Sequence, residues 1–110
     1  MPRFYQGIEQ QLAEARESGK SVDVMFFLGP GPFELPASTS PGDVGDSIYR
    51  ALRRARYDAP TTFFGFRAYP HLGSFQISGK MKLIDSLLQQ PEITGVGPGQ
   101  MRYLGGNHLK

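Results

Sequence analysis

The sequence predicts an α+β domain on the ferredoxin-like βαββαβ plan: a sheet with two helices on one face, plus an extra N-terminal helix. Three observations carry that expectation. Stretches rich in β-branched and aromatic residues alternate with stretches whose apolar residues recur at helical spacing. After an opening helix, they follow in the order strand, helix, strand, strand, helix, strand. The breaks between them fall on glycine and proline clusters, to which the 14 glycines and 9 prolines contribute.

Phe4, Ile8 and Leu12 recur every fourth residue, so an amphipathic helix is expected from Arg3 to Ser18, within an N-terminal segment 1–19. Ser18-Gly19-Lys20 ends it. Val22 to Leu28 reads as a strand, with Val24 and Phe26 on one face and Asp23, Met25 and Phe27 on the other. Gly29-Pro30-Gly31-Pro32 breaks it, and a loop runs to Thr39. Ser40-Pro41-Gly42-Asp43 is a strong helix start: a capping serine, a proline in the first turn, and an aspartate near the exposed N–H groups. The helix continues to Tyr57 and buries Val44, Ile48, Ala51, Leu52 and Ala55 on one stripe.

Thr61 to Tyr69 is the next strand, Pro70 to Gly73 a turn, and Ser74 to Ser78 its antiparallel partner. Lys80 to Gln90 forms a second core helix through Met81, Ile84, Leu87 and Leu88, and Gln100 to Leu104 is the expected last strand. The chain is thus read as one domain, 1–110, with a βαββαβ core over 21–105 and a tail at 106–110.

Composition narrows the function classes. With no cysteine, disulfide frameworks, thiolate zinc sites and cysteine catalysis are excluded. No apolar run approaches the roughly 20 residues of a membrane span, and no secretory signal is recognisable, so a cytoplasmic protein without membrane contact is expected. The net charge is only +2, but its distribution is uneven. Arg50, Arg53, Arg54 and Arg56 cluster on one helix, while Glu9, Glu14 and Glu17 lie in the first segment, which favours an acidic partner.

Plain alternation along Thr61–Tyr69 sends Phe64, Phe66 and Ala68 to the core, and Phe63, Arg67 and Tyr69 to the opposite face. Met25, Phe27, Gln76 and either Arg102 or Tyr103 would share that open face. Two rings beside a guanidinium suit the stacking and anchoring of single-stranded RNA. Thr62 to Tyr69 matches part of the RNA-recognition strand signature at Phe64, Gly65, Phe66 and Tyr69, and departs from it at Thr62, Phe63 and Arg67. Gly95-Val96-Gly97 resembles the opening of the glycine-rich loop in CRISPR repeat-RNA-processing endonucleases. The closing half of that motif is missing, with only Gly105-Gly106 in its place. The resemblance implies backbone contact with RNA; the alternative is a tight connection needing positive φ.

The leading expectation is therefore a small non-catalytic RNA-binding protein. Its candidate residues are Arg50, Arg53, Arg54, Phe63, Arg67, Tyr69 and Arg102. A protein-interaction module competes with it: an inhibitor, immunity or phage accessory protein, or a homodimer, using the same face. In that case the opening helix or a second chain covers Phe27 and Phe63. A third reading is a metal-independent ribonuclease with His71 as general base beside Arg67 or Tyr69. No cofactor or metal is implied, since two distant histidines and scattered carboxylates make no ligand set. Gly73 to Met81 fails as a phosphate-binding loop, because Met81 stands where a hydroxyl residue would hold magnesium.

Overall fold

The structure, a computed structural model, describes residues 2–101. It is a mixed α+β domain of five strands and three α-helices. In chain order the elements are β1 (Arg3–Phe4), α1 (Ile8–Ser18), β2 (Val22–Phe27), α2 (Pro41–Asp58) and β3 (Phe63–Tyr69). A 3-10 turn (Pro70–Leu72), β4 (Ser74–Gly79), α3 (Met81–Leu88) and β5 (Gly95–Pro98) follow. The sheet order is β1-β5-β2-β4-β3, with β1 parallel to β5 and every other neighbouring pair antiparallel. This order is not that of a plain four-stranded ferredoxin-like sheet.

Two element boundaries correct the sequence reading. The opening helix begins at Ile8 rather than Arg3, because Gln6 and Gly7 both take left-handed backbone and Arg3–Phe4 pairs with Gly95–Val96. Among the described residues the last strand is Gly95–Pro98, and Gln100, where the expected Gln100–Leu104 strand would begin, lies in a turn. Residues 102–105 of the expected core, Arg102 among them, and the tail 106–110 lie outside the described residues.

All three helices pack on one sheet face. Ile8, Leu12 and Ala15 of α1, Val44, Ile48, Leu52 and Ala55 of α2, and Leu83, Ile84 and Leu87 of α3 meet Val24, Phe26, Phe75, Ile77 and Val96 of the sheet. Full burial of each such large apolar side chain contributes about 1.5–3 kcal/mol. The capping signal of α2 is realised: the Ser40 hydroxyl accepts from the Asp43 amide at 3.1 Å. Arg16 of α1 reaches Asp85 of α3 at 2.6 Å, an exposed pair of small energetic weight. Docked on this side, α1 does not cross the far face of the sheet.

Candidate functional site

That far face carries the candidate site. Its position on β3 depends on a bulge: Phe64 pairs with Ser78 and Arg67 with Gln76, so Gly65 and Phe66 together oppose Ile77. Gly65 takes φ +67°, the left-handed region where a side chain is strained. The extra residue reverses the alternation midway. Phe63 therefore turns to the helix side, where Arg56 lies over its ring at 5.0 Å and Phe66 is 6.2 Å away. Phe64 turns out and is 61% exposed. The expected pairing of Phe63 with Arg67 and Tyr69 is thus corrected: Phe64, Arg67 and Tyr69 share the open face.

Half of this face is already closed by the chain itself. Phe27 is buried beneath Tyr5 at 5.7 Å and Phe33 at 5.0 Å, both edge-on. Gly95 and Gly97 make that cover possible through space rather than positive φ. A Cβ would lie 2.7 Å from the Tyr5 ring at Gly95, and 2.7 Å from Met101 Sδ at Gly97. The glycine stretch likened to an RNA-contacting loop is, over Gly95–Pro98, a buried strand.

The half that no other described residue covers is a concavity of about 580 Å³. Met25 and Gln76 lie at its centre by their pairing in the sheet; Arg67 and Tyr69 border it on the β3 side, Gly99, Gln100 and Met101 on the other, with Phe33 at the Phe27 end and Asp23 at the opposite end. Phe33 holds φ +61°, unusual for a bulky residue, while its ring lines the cavity. The Asp23 carboxylate accepts from Ser78 Oγ at 2.8 Å and from Gln76 Nε2 at 3.1 and 3.2 Å. Among the described residues, Arg67 and Tyr69 make no side-chain hydrogen bond or ion pair. The concavity therefore offers a free fork of donors, a fixed carboxylate, an amide and an aromatic wall.

The other candidates lie elsewhere. Arg50, Arg53 and Arg54 project from α2, across the sheet from the concavity, so they form no common surface with Arg67 and Tyr69. Arg54 donates to Gln90 at 2.9 Å and pairs with Glu92, and Arg50 donates to Ser47 at 3.1 Å. Arg53 is exposed and borders a shallow groove with Tyr57, Asp58 and Gln90. His71 sits exposed on the 3-10 turn and does not line the concavity, although its neighbour Leu72 does.

Asp23, Phe33 and Met101 were missed as site residues. Alternation in Val22–Leu28 assigned Asp23 to the open face, which was the available signal; the positions of Phe33 and Met101 follow from loop paths that no local pattern announces. Comparison with protein-family models, curated proteins and solved structures returned no match.

Proposed function

We propose that the chain is a ferredoxin-like domain extended by β1 and α1, and that it binds single-stranded RNA on its open sheet face. The observation that carries this reading is the guanidinium of Arg67 beside Tyr69, without a partner among the described residues, in a concavity that α1 leaves clear. Tyr69 and Phe64 offer rings for base stacking, typically worth about 1–3 kcal/mol per base. Arg67 offers planar donors to a base edge or phosphate. The α2 arginines contribute only to the long-range field, since they face away.

Fluorescence anisotropy with a labelled mixed-sequence RNA oligomer tests this. Affinity should fall as salt rises and drop about tenfold or more in Arg67→Glu and Tyr69→Ser. Undetectable binding at low salt, or full affinity in Arg67→Glu, refutes it. A second reading, a protein-interaction module or homodimer, draws on the exposed ring of Phe64 on an edge strand. The bulge works against strand addition there, because it interrupts the edge ladder. Sedimentation of the parent and of Phe64→Glu decides it: a monomer in both removes the dimer.

A further inference from the structure

Within the RNA-binding reading, on which this inference rests, we propose that the concavity selects guanine. Gln76 turns its Nε2 toward the Asp23 carboxylate, an assignment that chemistry imposes because its Oε1 would be repelled there. Gln76 Oε1 therefore has no partner among the described residues. Ser78 Oγ and Gln76 Nε2 both donate to Asp23 Oδ1, while among the described residues Oδ2 accepts only from Gln76. The β2–β4 side of the site thus presents two neighbouring acceptors, Asp23 Oδ2 and Gln76 Oε1. Gly99 closes over the carboxylate: a Cβ there would come within 2.2 Å of Asp23 Oδ2. On the β3 side, Arg67 presents only donors.

Guanine complements both sides at once. Its N1–H and N2–H donors suit the acceptor pair, and its O6 and N7 acceptors suit an arginine fork. Adenine and cytosine each set a ring-nitrogen acceptor beside their amino group, against the carboxylate. Uracil has one donor between two acceptors. Asp23 and Arg67 stand on strands separated by β4 and two residues apart in register, about 12 Å apart at the backbone from standard strand spacing and rise. A purine fits between their side chains, over Met25 and Gln76.

The test titrates the intact protein with heptaribonucleotides of uridine whose central residue is guanosine, inosine, adenosine, cytidine or uridine. Guanosine should bind about fivefold tighter or more than the others. Inosine, which lacks the N2 amine, should lose most of that gain; this arm needs no variant and is free of folding effects. In Asp23→Asn the preference for guanosine over inosine and uridine should vanish. Equal affinity for all five oligomers overturns guanine selection, a guanosine preference retained in Asp23→Asn overturns its assignment to this concavity, and either result leaves the RNA-binding reading intact. No binding to any of them at low salt overturns both.

Discussion

Replacing Gly65 with alanine tests the bulge that decides which β3 side chains face the concavity. At φ +67° an L-residue meets a left-handed backbone, at a cost of about 1–2 kcal/mol. The added Cβ would also lie 3.3 Å from Ser78 Oγ, closer than ordinary van der Waals contact. The expected loss is about 1 kcal/mol or somewhat more, and each kcal/mol moves the melting temperature of a domain near this size by about 4–8 °C. Urea unfolding followed by circular dichroism should give a lower midpoint at an unchanged slope. Deleting Gly65 has a distinct expected outcome. Phe66 would then oppose Ile77 alone, the ladder would run regularly, and Arg67 and Tyr69 would keep their faces. The deletion variant should fold and, under the proposed function, bind RNA as the parent does. On an unbulged strand the same deletion would invert Phe66–Tyr69 relative to Phe63–Phe64 and destroy the core. An unchanged midpoint in Gly65→Ala, or an unfolded deletion variant, refutes the reasoning.

Three further outcomes follow from the packing. Ser40→Ala removes the cap that accepts from the Asp43 amide, and calorimetry should show a loss of about 1 kcal/mol. Phe75→Ala empties a fully buried position between Phe26 and Phe66, with ring centroids at 5.2 and 5.9 Å. It should cost about 3–5 kcal/mol in denaturant titration, a large fraction of the stability of a domain this size. The arginines of α2 should separate in the same assay: Arg54→Ala loses Gln90 and Glu92 for about 1 kcal/mol, whereas Arg53→Ala stays within about 0.5 kcal/mol.

The proposed site is an interruption of the sheet's self-cover. Tyr5, Phe33 and Met101 lie over the β5–β2 half, and the space between them and β3 is the concavity. Its polar groups have unequal freedom. Asp23 is held by two neighbours on β4, which fixes where its acceptors lie, while the Arg67 side chain has no hydrogen-bond partner among the described residues.

Local patterns in the chain were enough for the α+β class, the succession of elements from Val22 to Leu88, the α2 cap and most of the core. These depend on period, capping and apolar face, all set by neighbours within a few residues. Three features required the tertiary structure. The first residues form an edge strand because β5 offers them a free ladder, which no nearby residue encodes. The exchange of Phe63 for Phe64 on the open face turns on one extra residue in β3, opposed to a single residue of β4, and only the pairing register reveals it. The side of the sheet that α1 covers is likewise decided by long-range burial against α3 and the sheet. Helical spacing says that a stripe must be buried; it carries no information about which distant surface buries it.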